Sequence, residues 1–558
     1  MIFSQKEVVV EGRFLIKSIY INYKGGSAMH RVSGVSLLKI GLLVVLLLGA
    51  ALVPLVRSQQ GKVLTIAFDA SDLKTLDPHF AAATMDRAVV DMVFNGLVRY
   101  KPGDITVFQP DLATSWDVDG NVWTFHLRKG VMCQPWKDHP GYELTSDDVV
   151  YSLEKSADPA RSAYAGEYTG MTFEAVDKYT VKITLDAPIS EVLMLPKVAD
   201  YAGGFIVCKQ AIEDMGDQAF KTHPVGTGPF MFQSYSPMDK VVLVKNPKYF
   251  RGAPKLDGVV VRYMPSVSAR ESGLETGELD VIVGPPEQPW VEKMRAKKDT
   301  VVDVFGPGET VVLHWNLTKA PFNDIRVRYA LDYCISRDEV QAAIGKDIAA
   351  PLYAAVPTVL AGGLTKDEVD AMHLEFAVDR ERAKKLLAEA GYPNGFSAEV
   401  VTSEKAEYLL PMQNIQAQLR ECGVNIKLKV VDHSTMHSLI RKDVNPMVLY
   451  VCWRPNADVF LTRFYHSDSI VVTGKKPDTN FSHYTAIDGL IEAARTELNK
   501  DKQISLWKQA QLMILADQAS YPLYIKQFVF ARKPSVNYGY ALHSTLALYP
   551  QINELTSK

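Results

Sequence analysis

At 558 residues the chain exceeds what one hydrophobic core organises, and about three domains of ordinary size are expected. Its composition (47% hydrophobic, 22% charged, 10% aromatic) is that of a folded globular protein rather than a disordered one. The net charge of −3 falls to −8, from 54 Lys/Arg against 62 Asp/Glu, once residues 1–58 are set aside, so the body offers no broad basic footprint for nucleic acid.

Met29 to Ser58 reads as a secretory signal. His30, Arg31 and Lys39 form a basic stretch, Gly41 to Val53 is an unbroken apolar run, and Gly49 and Ala51 fit the small-residue pattern for cleavage. A mature N-terminus between Leu52 and Gly61 is expected. The alternative is an uncleaved anchor helix, because the run nearly reaches bilayer length. No Cys lies in or just after the run, which excludes a lipoprotein anchor. Residues 1–28 read as an upstream extension, either a start assigned too early or a disordered tail.

Val63 to Phe68 is the first expected strand. Thr75-Leu76-Asp77-Pro78-His79 follows it, and then a helix leads to Phe94-Asn95-Gly96-Leu97. The stretch Asp111 to Lys155 is a well-specified unit. Trp116 and Val118 alternate with polar neighbours, Asp119-Gly120 supplies a tight turn, and Val122 to Leu127 alternates again. Thr145, three residues before Asp148, opens a helix in the manner of a capping box, and Val149, Val150 and Leu153 give that helix its apolar face. Further on, amphipathic helices are expected over Ala383–Ala390 and Lys502–Asp517. No flexible linker separates these pieces.

Five cysteines (Cys133, Cys208, Cys334, Cys422, Cys452) are scattered through the chain. The odd count leaves at least one thiol free, and no C-x-x-C spacing points to a metal or redox site. An oxidising compartment allows a disulfide, but the spacing picks no pair.

The segment from Asp111 to Lys155 closely resembles the signature of the peptide/nickel-type extracellular solute-binding proteins (family 5) that feed ABC importers. Leu112-Ala113 with Ser115-Trp116, Trp123 to Val131, and Thr145 to Ser152 match its three ordered pieces, while the loop Met132–Leu144 is longer than in most relatives. The resemblance continues through Asp77-Pro78, Phe94–Leu97, Val225–Phe230, Gly277–Asp280, Asn316–Leu331 and Ala383–Pro393. It implies an α/β clamshell of the periplasmic-binding-protein type (class II-like), with two lobes and an extra domain on the first. The implied division is a first lobe of 59–96, 203–307 and 520–558, an extra domain of 97–202, and a second lobe of 308–519. The implied partners are a peptide or small polar solute and the membrane permease. A monomer in the periplasm that needs no cofactor is expected.

Other candidate chemistry is thin. Gly226-Thr227-Gly228 lacks the spacing of a phosphate loop, and Pro229 removes an N–H that such a loop needs. His433 and His437 would share a helix face, but no Glu follows His433 and no third zinc ligand is evident. His139 and His314 stand alone, and no Ser or Cys sits in a nucleophile-elbow context. No metal site and no enzyme activity are expected.

The informative stretch is Val451 to Leu461. In peptide-binding relatives a Trp here is followed, three residues on, by the Asp that takes the ligand's α-ammonium. Trp453 is followed at that distance by Asn456, and Asp458 is the alternative carboxylate. Arg454 reads either as a solvated strand-end residue or as a fork for a carboxylate or phosphate. By the same resemblance, His314, Trp315 and Asn316 are weaker candidates for the cleft wall. The expected function is solute capture for import. The alternatives are a ligand-presenting receptor or chaperone-type module on the same fold, or a secreted hydrolase.

Overall fold

The computed structural model describes residues 62–375, 377–543 and 548–558, so the signal-like segment Met29–Ser58 and the expected cleavage region lie outside the described residues. Among the described residues no helix is long and apolar enough to cross a membrane.

A nine-stranded mixed sheet organises the fold. Its order is Met447–Cys452, Val301–Trp315, Ser520–Arg532, Val281–Val283, Val63–Phe68, Gly258–Tyr263, Lys240–Lys245 and Phe230–Ser236, with Ala349–Pro351 beside Ser520–Arg532. Met447–Cys452 is buried at every position, which is why its sequence is a continuous apolar run rather than an alternation. The two halves of this sheet share two long antiparallel strands. Val301–Phe305 lies opposite Arg532–Phe528, the register then breaks, and Glu309–His314 lies opposite Lys526–Ser520. On one side of the break Ser520–Arg532 also pairs with Val281–Val283; on the other, Val301–Trp315 pairs with Met447–Cys452. A break of this kind bends the strand and raises its twist. Lys526 spans the break, with its Nζ 3.0 Å from Glu309 and 3.7 Å from Glu407.

A separate four-stranded sheet carries the Trp-rich segment, in the order Ala113–Asp119, Val122–Leu127, Thr180–Leu185 and Met171–Asp177. Helix Ser146–Ala157 follows the expected cap, where the Asp148 carboxylate accepts from Thr145 N–H at 2.9 Å. That carboxylate also accepts from Lys209 N–H at 3.0 Å, so the motif ties the start of this helix to residue 209. Lys155, at the far end of this helix, reaches Asp77 at 2.8 Å with both side chains fully buried. A buried pair of this kind is costly to break from either side, which explains the Asp77-Pro78 motif without any chemistry. Phe396–Ser403 and Val424–Val431 form a parallel pair joined by helix Ala406–Glu421.

The cysteines form two disulfides, Cys133–Cys208 and Cys334–Cys422, while Cys452 is free and buried. Cys133 stands in the longer loop Met132–Leu144, whose ends are also joined by Cys133 N–H donating to Tyr142 O at 2.8 Å. Gly226 and Gly228 lie against the backbone of Val93, where an added Cβ would sit 2.2 Å and 2.5 Å from main-chain atoms. The glycines there serve close packing.

Candidate ligand cavity

The strand Met447–Cys452 ends at Trp453, and Pro455 stops it from continuing as a paired edge. Asn456 then caps helix Ala457–Tyr465, its Oδ1 accepting from Val459 N–H at 3.0 Å. The loop Trp453–Asn456 is therefore held between a buried strand and a capped helix. It projects into a cavity of about 440 Å³ whose lining includes Trp453, Arg454, Asn456 and Asp458. The opposite wall is built from Arg87 on helix Thr84–Val93, from Tyr164 and Glu167, and from Lys197 and Tyr201. The Tyr201 and Trp453 rings pack against each other where the two walls meet, with centroids 5.6 Å apart and planes tilted by 57°.

The charges of this cavity do not balance. Asp458 accepts from Arg495 Nε at 3.0 Å. Burial raises the Asp458 pKa above the usual carboxylate value, and the Arg495 guanidinium opposes that rise. Glu167 is held by Lys197 at 3.0 Å, and Arg463 is held by Asp478 at 3.1 Å. Arg87 donates through Nη1 to Tyr201 Oη at 2.6 Å, through Nη2 to Tyr164 Oη at 3.2 Å and through Nε to Ala81 O at 3.1 Å. Burial pushes the Tyr201 hydroxyl up to about 12, so it stays a neutral phenol beside that guanidinium. Arg454 donates from Nη1 to Trp453 O at 2.8 Å and lies 5.2 Å from the Phe464 ring centroid, while its buried Nε has no partner. Among the described residues neither Arg87 nor Arg454 is paired with a carboxylate. Both carboxylates in the lining have cations, and two of its cations lack anions.

The remaining sequence candidates sit elsewhere. His314 is buried against Phe464 at 5.3 Å between ring centroids, and burial holds its imidazole down at about 3. Trp315 is fully buried and stacks on Phe322 at 5.9 Å. Asn316 donates to Asp443 Oδ1 at 2.7 Å and accepts from Thr318 N–H at 3.0 Å, which closes a turn. None of the three lines the cavity. His314 and Trp315 end a strand that is buried on both faces here, and Asn316 starts the turn after it, so alternation does not separate a cleft face from a core face.

His433 and His437 face each other with Nε2 atoms 3.2 Å apart. Arg441 donates to His437 Nδ1 at 3.2 Å, and His433 Nδ1 lies 3.1 Å from Ser403 Oγ. Arg donation fixes His437 as the Nε2–H tautomer, so the pair forms a continuous hydrogen-bond chain from Arg441 to Ser403. Among the described residues no group of three or more His, Cys, Asp or Glu side chains is placed to hold a metal ion.

Sequence reasoning missed Arg87, Lys197, Tyr201 and Arg495. All lie far along the chain from Trp453, and only the fold gathers them. The family model for bacterial extracellular solute-binding proteins, family 5 Middle, matches residues 107–470. The solute-binding protein MoaA of A. tumefacien R10, solved in complex with mannopinic acid, is 39% identical; it covers 89% of this chain and 99% of its own, with a TM-score of 0.71. The dipeptide-binding protein of Escherichia coli (strain K12) is 29% identical over 87% of this chain and 91% of its own length. The periplasmic binding protein DppA of Helicobacter pylori, solved with the peptide STSA, is 27% identical and covers 90% of this chain and 99% of its own, with a TM-score of 0.70. The chain belongs to the family 5 bacterial extracellular solute-binding proteins, a solute-binding rather than catalytic family whose members serve ABC importers from the periplasm.

Proposed function

We propose that this protein captures a small organic acid, rather than a free-amine peptide, between its two lobes and delivers it to an ABC permease. One observation carries the reading: Asp458 and Glu167 are each ion-paired, while Arg87 and Arg454 have no carboxylate partner among the described residues. A peptide ammonium entering this cavity meets no free carboxylate. An acid meets two unneutralised guanidinium groups, each suited to forked recognition of a carboxylate. The aromatic wall of Tyr164, Tyr201 and Trp453 supplies apolar surface for the rest of the solute, as small-molecule pockets commonly do. The relative MoaA, at 39% identity, is solved with mannopinic acid, an acid by its name.

The division into lobes at 59–96, 203–307 and 520–558, at 97–202 and at 308–519 is carried into this proposal. The paired strands Val301–Trp315 and Ser520–Arg532, with their register break, serve as the hinge. Ser190 Oγ donates to Gln503 Oε1 at 2.8 Å across the cleft, a contact that closure makes and opening breaks. Ligand shifts that equilibrium only by its differential affinity for the closed form. Export by cleavage of the signal-like segment, a monomeric state and the lack of catalytic activity belong to the same proposal.

Calorimetry tests it with two probes on one preparation, mannopinic acid and a free-amine dipeptide. Binding of the acid at least 100-fold tighter than the dipeptide is expected. Tighter binding of the dipeptide overturns the reading.

A further inference from the structure

A second chamber of about 540 Å³ adjoins the charged cavity, and the two share Tyr100, Pro196, Pro455 and Asn456 in their walls. The chemistry changes across that shared edge. Ile105, Phe108, Leu195, Leu360, Leu498 and Ile504 dominate the second chamber, and its charged residues are Glu191 and Lys500. Glu191 is occupied, accepting from Trp116 Nε1 at 3.2 Å. At the mouth, Val359 is 40% exposed and Leu498 54% exposed, so apolar surface faces solvent where the two sides approach.

The walls come from both sides of the cleft. The strand Asp104–Pro110 and residues 190–196 face residues 359–361 and 498–504, and the Ser190–Gln503 hydrogen bond joins the sides at the chamber itself. Whatever fills the chamber touches both sides at once and so favours the closed form.

We infer that the second chamber receives an apolar substituent of the same solute whose acid group Arg87 and Arg454 hold, which makes the ligand an amphiphilic organic acid. The inference rests on the proposed acid-binding reading, and the wall that the two cavities share is what assigns both to one molecule. A wholly hydrophilic solute would leave this apolar wall wet in the closed state, at the usual cost of exposed apolar area. A volume of this size holds a chain or ring of several carbons.

Two probes with one head and different tails, N-acetyl-glutamate and N-octanoyl-glutamate, separate the chamber from the acid site in calorimetric titrations. Each additional methylene buried is worth up to about fourfold in affinity. Ordering of the tail offsets part of that, and a gain of about 100-fold or more for the octanoyl probe is expected. Ile504→Gln should collapse the ratio of the two affinities by about tenfold. Equal affinity of the two probes, each lost in Arg87→Met, overturns the chamber assignment and leaves the acid site standing. An octanoyl gain that persists undiminished in Ile504→Gln also overturns it, because the tail then lies elsewhere. Failure of both probes where a free-amine dipeptide binds overturns the acid-binding reading and the chamber with it.

Discussion

Asp458→Asn separates the two accounts of this cavity by the sign of its effect. The substitution keeps an oxygen that can accept from Arg495 Nε, now at 3.0 Å, and removes the charge. Breaking a fully buried ion pair costs about 3–5 kcal/mol, and an exposed one contributes about 0–1 kcal/mol. Here the Asp458 side chain is 15% exposed and that of Arg495 37%, so water screens the cation. Burial already disfavours the charged Asp458, as its raised pKa reports, so the ligand-free protein should change by less than about 1 kcal/mol. Binding of an acid should respond more clearly: Arg495 becomes a third unneutralised cation beside Arg87 and Arg454, and affinity for an anionic probe should rise by about 1 kcal/mol, roughly fivefold. If Asp458 were instead the ammonium anchor, the same change would weaken a free-amine peptide by about 2–5 kcal/mol. Calorimetry on wild type and variant, with melting temperatures of the free proteins, reads both effects. Strong peptide binding that Asp458→Asn abolishes would refute the charge argument.

Three further outcomes are expected. Arg87→Met should weaken an anionic probe by about 2–3 kcal/mol in calorimetry and lower the free protein's stability by about 1–2 kcal/mol, since it also removes the hydrogen bonds to Tyr201, Tyr164 and Ala81; unchanged affinity would exclude Arg87 from the site. Burial holds the His314 imidazole at about 3 against an unfolded value of 6.5, so its folded-state pKa is depressed. Its contribution is therefore fully present above about pH 6.5 and is lost as pH falls toward about 3. His314→Phe should flatten the acid limb of the urea-denaturation profile, and parallel wild-type and variant profiles between about pH 4 and 7 would contradict this. The Cys133–Cys208 bond closes a separation of 75 residues, and replacing both cysteines by Ser should cost up to about 4 kcal/mol in the chain-entropy account. An unchanged denaturation midpoint would show the bond to be absent or without effect on stability.

Much of the architecture was legible because local rules and the fold agree. Asp119-Gly120 turns between Ala113–Asp119 and Val122–Leu127, and Thr145 with Asp148 opens the next helix, as their sequence requires. The helix expected over Ala383–Ala390 runs Arg380–Glu389, and the one expected over Lys502–Asp517 runs Lys500–Ala516. The site was legible only in part. Trp453 to Asp458 could be singled out because the stretch follows an apolar strand and resembles the place where peptide-binding relatives keep a Trp and, three residues on, an ammonium-binding Asp. In the sequence Asn456 reads only as a stand-in for that Asp; the structure shows it capping helix Ala457–Tyr465, which removes its Oδ1 from ligand duty. The balance of charge could not be read. It depends on Arg495 meeting Asp458 and on Lys197 meeting Glu167, partners 37 and 30 residues apart with no local signal that joins them. The disulfide pairs were hidden for the same reason, since separations of 75 and 88 residues leave no local signal.

The account turns on the charge of the captured solute. Native mass spectrometry of protein purified without denaturation from its producing cells, with the released small molecule then analysed in both ion modes, measures that charge directly. The account predicts a carboxylate-bearing solute that lacks a free α-ammonium group and leaves the protein when Arg87 and Arg454 are both neutralised. A co-purified free-amine peptide that remains bound to the Arg87→Met, Arg454→Ala protein would contradict it.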